Sequence, residues 1–389
     1  MNITPVLDLQ TISQFADLEY ENKYVFKKSF SFAYMPDARP ETASVVNFKA
    51  CTNGKATFKY SLKNDDELIY ESMEYSFKNE KFPTLSQWRI PPFIGNSDRL
   101  VIEINISEDT ELHIASFEYA NDIPTPHWDG GIRLNAHLGF WGIAPNNTMP
   151  AFELAAICGY PACIVVPKTT KDGKLVCIHD DTINKTARDK DGNQPTDPIY
   201  VWDLTLDELR EYEYGSYKHR IWKGTEIPLL DDFFALCAKT GMRPMFSTHP
   251  GLSREKWLEV KAMLTGYGIL EKFHIKSFET DVLKLAWEIF GTEIEGYTYD
   301  VRAKKAEEVV PLIAELDEIG FDLDKVRVGL EIPSYSVTSE KAEYIINKGY
   351  FSAAWKILNM PSDEYNRLIE MGVTEFTDDY NCSYGLNWR

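Results

Sequence analysis

Leu134-Asn-Ala-His-Leu-Gly139 is a short apolar run that ends on a histidine and a glycine, and it is the first of eight such runs. The others begin near Ala162, Pro244, Phe273, Ile294, Val326, Phe351 and Val373, with longer helical patterns between them. Short buried strands alternating with helices are the signature of repeated β-α units on a parallel sheet. Eight units in about 260 residues predict a (β/α)8 TIM barrel over residues 131–389. Thr205-Leu-Asp-Glu208 spells a capping box, and Ser362 with Asp363 opens the last helix. Gly159, Gly215, Gly349 and Gly372 fall where left-handed helix caps belong.

Upstream the rhythm is different. Tyr24-Val-Phe-Lys-Lys-Ser-Phe-Ser-Phe32, Ala56-Thr-Phe-Lys-Tyr-Ser61, Leu100-Val-Ile-Glu-Ile-Asn-Ile106 and Leu112-His-Ile-Ala-Ser-Phe-Glu-Tyr119 alternate with period two. That period puts one face of a strand inward and the other outward. Asn53-Gly54, after Ser44-Val-Val-Asn-Phe-Lys-Ala50, predicts a tight hairpin. Residues 1–121 are therefore expected to form an all-β sandwich accessory domain, with a proline-bearing linker at 122–130. Alternation sends many of its aromatic residues, Tyr60, Tyr75 and Phe77 among them, into the core. The fold class is α/β, a barrel preceded by a sandwich.

Composition narrows the partners. A net charge of -19 opposes nucleic-acid phosphates and anionic lipid at long range, so neither nucleic acid nor membrane insertion is expected. Met1-Asn-Ile-Thr-Pro5 has neither the basic start nor the apolar core of a signal peptide, and Cys51, Cys158, Cys163, Cys177, Cys237 and Cys382 make no C-x-x-C pair. A cytoplasmic protein with buried thiols, or one trimmed of its signal, is the expectation.

Ala136-His-Leu-Gly139, Ala144-Pro-Asn-Asn-Thr148, Lys171-Asp-Gly173, His179-Asp180 and Asp203-Leu-Thr-Leu-Asp-Glu-Leu209 resemble the glycerophosphodiester phosphodiesterases. Ile227-Pro-Leu-Leu230, Ser277-Phe278, Trp355 to Asn359 and Thr377-Asp378 extend the likeness in the same order, over roughly residues 131–380. The resemblance implies that His137 and His179 are the general acid/base pair around a scissile phosphate. Imidazole suits both tasks, since it exchanges protons near neutral pH.

The same likeness then breaks. The family pattern continues with Arg after the first His, Glu before the Asn-Thr, a Glu-x-Asp pair ending strand two and a Glu-x-Lys pair ending strand three. Here stand Leu138, Asn146, Ile164 with Val166, and Ser247 with His249. Mg²⁺ and Ca²⁺ require hard oxygen ligands, which Ile and Val lack. No metal and no other cofactor is therefore expected at the usual position.

The remaining polar residues offer replacement cations. Lys168 shares the strand-face parity of Ile164 and Val166, and His249 would add a donor from strand three. Asn146 replaces a ligand position, Glu331 ends strand six, Trp355 matches the family's late-barrel Trp, and Trp141 in Gly139-Phe-Trp-Gly142 offers an aromatic wall. These six are the expected substrate-binding residues, each with a plainer alternative in packing or solvation. The first expectation is a metal-independent enzyme cleaving a glycerol- or sugar-linked phosphodiester, by hydrolysis or by cyclising transfer. Three alternatives stay open: a carbohydrate-active enzyme using the same His pair on an unphosphorylated glycan, a non-catalytic ligand-binding barrel, and an enzyme with a metal held by His137, His179 and His249.

Overall fold

A computed structural model describes residues 7–378 apart from 21–22, 38–43, 73, 78, 80, 91, 121–131, 249–251, 295 and 358–361. The chain divides into two compact units, residues 1–126 making most of the first and 127–358 most of the second. The expected linker at 122–130 lies outside the described residues.

The first unit is built of two antiparallel sheets. One runs Leu18–Tyr20, Lys23–Phe26, Leu112–Ala120, Ser44–Thr52, Thr84–Ile90; the other runs Phe30–Tyr34, Arg99–Ile106, Ala56–Asn64, Glu67–Glu71. Phe48 and Phe117 of the first sheet meet at 4.9 Å between ring centroids, and Phe48 meets Phe58 of the second at 5.3 Å. Tyr60, Tyr75 and Phe77 are buried, as the alternation requires. Asn53-Gly54 does not form the expected hairpin, because the strands on either side of it pair in different sheets. Its glycine answers a different need: a Cβ there would lie 2.2 Å from Thr110 Oγ1. The tight turn comes later, at Asp65 with φ of 49° between Ala56–Asn64 and Glu67–Glu71.

The second unit is a closed ring of eight parallel strands: β1 (Arg133–Ala136), β2 (Ala162–Val165), β3 (Arg243–Thr248), β4 (His274–Ser277), β5 (Gly296–Arg302), β6 (Val326–Pro333), β7 (Phe351–Ile357) and β8 (Val373–Asp378). Helices between them include α1 (Met149–Ile157), α2 (Leu230–Thr240), α3 (Arg254–Gly266) and α4 (Thr280–Phe290). Thr205 and Glu208 close the capping box reciprocally. Gly159, Gly349 and Gly372 adopt left-handed φ, whereas Gly215 does not; a Cβ on Gly215 would stand 1.8 Å from the Trp222 carbonyl oxygen.

The interior of the ring is divided. Ala162, Ile164 and Val166 from the β2 segment, Met245 of β3 and Leu138 form one apolar cluster. Opposite it, Arg133, His274, Lys276, Asp300, Glu331 and Glu375 are all fully buried. Buried charges persist only when paired. Lys276 Nζ stands 2.6 Å from Glu375, 3.0 Å from Glu331 and 3.2 Å from Asp300, and Arg133 stands 3.0 Å from Glu375.

Candidate active site

His137 follows directly on β1, at the carboxyl end of the ring where barrel enzymes place their chemistry. The backbone then turns left-handed twice, Leu138 at φ of 55° and Gly139 at 81°. For leucine that conformation costs about 1–2 kcal/mol, and the turn is held by its surroundings. Leu138 is buried in the apolar cluster, and Phe140 donates its N–H to the Ala151 carbonyl of α1 at 2.8 Å. A Cβ on Gly139 would come within 2.5 Å of Ala151 Cβ, so the loop lies flush on α1. Trp141 presents its ring to His137 edge-on at 5.6 Å, and its carbonyl accepts from Lys218 Nζ at 2.7 Å.

A chain of three hydrogen bonds connects this turn to the second histidine. Asn147 N–H donates to the Leu138 carbonyl at 2.9 Å, Val166 N–H to Asn147 Oδ1 at 2.9 Å, and Ile178 N–H to the Val166 carbonyl at 3.0 Å. The residue after His137 and the residue before His179 are thereby tied to the end of β2. His179 Nδ1 lies 2.6 Å from Asp180 Oδ1, and that hydrogen bond holds the Asp180 carboxyl below the usual range. The ionised carboxylate accepts, so Nδ1 is the donor of this hydrogen bond. Asn146 takes part through its backbone: its N–H donates to the Tyr217 hydroxyl at 3.0 Å. Burial pushes Tyr217 up to about 12, with the Asp180 charge adding to the rise.

Two expectations are corrected. Lys168 does not continue the β2 strand face, because β2 ends at Val165 and Pro167–Thr169 pairs separately with Leu175–Cys177. Its ammonium is engaged by Asp181 at 2.5 Å. Glu331 is not a rim carboxylate but a fully buried one, accepting from Lys276 at 3.0 Å, from Thr377 Oγ1 at 2.6 Å and from Arg302 Nε at 2.5 Å. Although burial alone would raise it, Arg302 and Lys276 hold Glu331 below the usual carboxylate range. His249 lies outside the described residues. Trp355 is half-buried near the end of β7, its Nε1–H donating to the Ala303 carbonyl at 3.0 Å.

The positions where the family likeness implies metal ligands do not fit a cation. Ile164 and Val166 are packed in the apolar cluster, and Ser247 Oγ accepts from Arg302 Nη1 at 3.4 Å. Among the described residues, His274, Asp300 and Glu375 form the one grouping of three ligand-type side chains. Lys276 and Arg133 already pair with its carboxylates from within the ring, so ammonium and guanidinium stand where an ion's charge would be needed.

Arg302 was missed by the reading of sequence. It is the last residue of β5 and is 4% exposed, with its guanidinium carbon 5.3 Å from the Phe278 ring centroid and 5.2 Å from that of Trp355. The signal was present in Tyr299-Asp-Val-Arg302, which alternates polar and apolar residues inside a buried parallel strand.

Residues 137–286 match the model of the Glycerophosphoryl diester phosphodiesterase family. A glycerophosphodiester phosphodiesterase of Bacillus altitudinis is 29% identical over 43% of this chain and 67% of its own length. One of Caldanaerobacter subterraneus subsp. tengcongensis is 29% identical over 39% of this chain and 61% of its own. Another Bacillus relative is spanned over only 36% of its length. Among solved structures, an Oleispira antarctica phosphodiesterase in complex with the product sn-glycerol-3-phosphate superposes with a TM-score of 0.54 at 22% identity, over 65% of this chain and 94% of that one. A glycerophosphodiester phosphodiesterase from Agrobacterium tumefaciens gives 0.51 at 16%, over 64% and 97%. At those identities the structural likeness is one of fold.

Proposed function

We propose that the barrel is a member of the glycerophosphodiester phosphodiesterase superfamily, whose family model it matches over residues 137–286, and that it cleaves a phosphodiester by acid/base chemistry of His137 and His179 without a divalent cation. The observation that carries this reading is the hydrogen-bonded chain Leu138–Asn147–Val166–Ile178, which fixes both histidine-bearing turns to one strand end. Asp180 prepares His179 as the base, because its carboxylate holds the Nδ1 proton and stabilises the imidazolium formed when Nε2 accepts another. In this scheme His179 takes the proton of the attacking water or of a neighbouring substrate hydroxyl. The bond from phosphorus to the leaving oxygen breaks, and His137 protonates that oxygen. The donor set at the usual metal position supports a cation-free site, and a guanidinium at the mouth favours an anionic substrate over an uncharged glycan.

The test is turnover of glycerophosphodiesters in excess EDTA. Activity should persist there and fall by about 10²–10⁴-fold in His137→Ala and in His179→Ala. Metal-dependent turnover, or full activity in either variant, would remove the proposal.

A further inference from the structure

Building on the phosphodiesterase reading, we infer that Arg302 is the substrate-binding cation of the barrel mouth and takes the phosphodiester's non-bridging oxygens where a divalent ion would otherwise stand. Its placement argues first. Arg302 leaves β5, donates from Nη1 to Ser247 on β3 at 3.4 Å, and lies against Trp355 of β7 at 5.2 Å. Strands three and seven are opposite each other in an eight-stranded ring, so the guanidinium head sits near the barrel axis.

Its contacts argue second. Ser247 occupies the strand-three position where the family likeness implies a metal-binding Glu, so the guanidinium touches the vacated ligand position itself. Nε is used by Glu331 and Nη1 by Ser247, while Nη2 is buried without a hydrogen-bond partner among the described residues. Buried donors are nearly always satisfied, so Nη2 calls for a partner. The aromatic rings of Phe278 and Trp355 lie beside the guanidinium carbon, and both residues are only half-buried. A planar fork of N–H donors matches two phosphate oxygens in a way that an ammonium does not.

Charge argues third. Glu331, the one carboxylate paired with Arg302 among the described residues, is shared with Lys276, so its negative charge is divided between two cations. Burial and the neighbouring Glu375 push Asp300 well above the usual carboxylate range, which weakens its claim on the cations around it.

The experiment is calorimetric titration of the full chain, in EDTA, with sn-glycerol 3-phosphate and with inorganic phosphate. The native protein should bind, Arg302→Lys should weaken binding by about tenfold or more, and His137→Ala should bind while losing turnover. Where Arg302→Gln fails to fold, Arg302→Gln with Glu331→Gln removes both members of the buried pair and should fold without binding. Native affinity in Arg302→Lys or in the double variant, or no binding by the native protein, overturns the inference. The two readings fail differently. Arg302-dependent binding without turnover of any phosphodiester would sink the catalytic reading alone, and undiminished turnover in Arg302→Lys would sink this one alone.

Discussion

Asn147 shows how much of the site depends on one side chain away from the chemistry. Its backbone is left-handed, at φ of 52°, its N–H holds the turn after His137, and its Oδ1 accepts from the end of β2. Asparagine tolerates that conformation better than other residues with a Cβ. The two contributions separate by substitution. Asn147→Gly keeps the conformation and strands the buried Val166 N–H, which costs about 1–3 kcal/mol. Asn147→Ala should lose roughly 1 kcal/mol more, for the left-handed backbone. Urea unfolding measures both, and turnover should drop in each because the His137 and His179 turns are no longer tied together. Native stability in Asn147→Gly would show that the chain of hydrogen bonds carries nothing. At the same scale Asn146 is held through its backbone, its N–H donating to the hydroxyl of Tyr217, a residue that no motif singled out.

At the scale of elements, the strands were legible because their apolar runs are short and their punctuation regular. The eight expected starts fall within about two residues of those observed, well inside the usual uncertainty of element boundaries. Three things were not legible. A turn dipeptide such as Asn53-Gly54 says that the chain bends, not which sheet the next strand joins, and here the strand changes sheet. The parity that placed Lys168 beside Val166 holds only while a strand continues, and β2 stops at Val165. The buried ion pairs were hidden by the habit of reading a polar residue in a strand as facing out, although His274-Ile-Lys276, Asp300-Val-Arg302 and Glu375-Phe-Thr377 repeat with the period of two that sends one set into a barrel. Two lysines therefore differ sharply despite similar pairing distances. Lys276→Met should destabilise by about 3–5 kcal/mol, because Glu331 and Glu375 lose a buried partner. Lys168→Met, which breaks a pair with the largely exposed Asp181, should cost less than about 1 kcal/mol. Equal melting temperatures for the two variants would contradict the assignment of the interior network.

For the whole molecule, the buried half of the barrel links stability to pH. Burial is the largest influence on His274 and drives its protonation well below the usual range, with Arg133 and Lys276 acting in the same direction against Glu375. A folded pKa depressed in this way contributes stability that is present above the unfolded value and lost as pH falls. Below about pH 6.5 the unfolded chain takes up a proton that the folded barrel refuses, a loss of roughly 1.4 kcal/mol per pH unit. Glu331, held low despite its burial, adds a second loss of the same sign once the pH drops through the ordinary carboxylate range. Asp300 runs the other way: its raised pKa contributes stability fully present in acid and lost as pH rises through the folded value. The stability profile of the barrel should therefore fall toward acid in two stages, the first belonging to a histidine. Tryptophan fluorescence follows the right unit, since Trp88 alone of the nine tryptophans precedes residue 121. Urea midpoints of the native chain should drop by about 2 kcal/mol equivalent between pH 6.5 and 5 from this residue, and His274→Gln, which cannot be protonated, should remove that part of the slope while leaving the carboxylate stage. A His274→Gln profile parallel to the native one from pH 7 to 5 would mean that His274 takes up its proton inside the folded barrel, and the neutral, sealed interior argued from its burial would have to be abandoned.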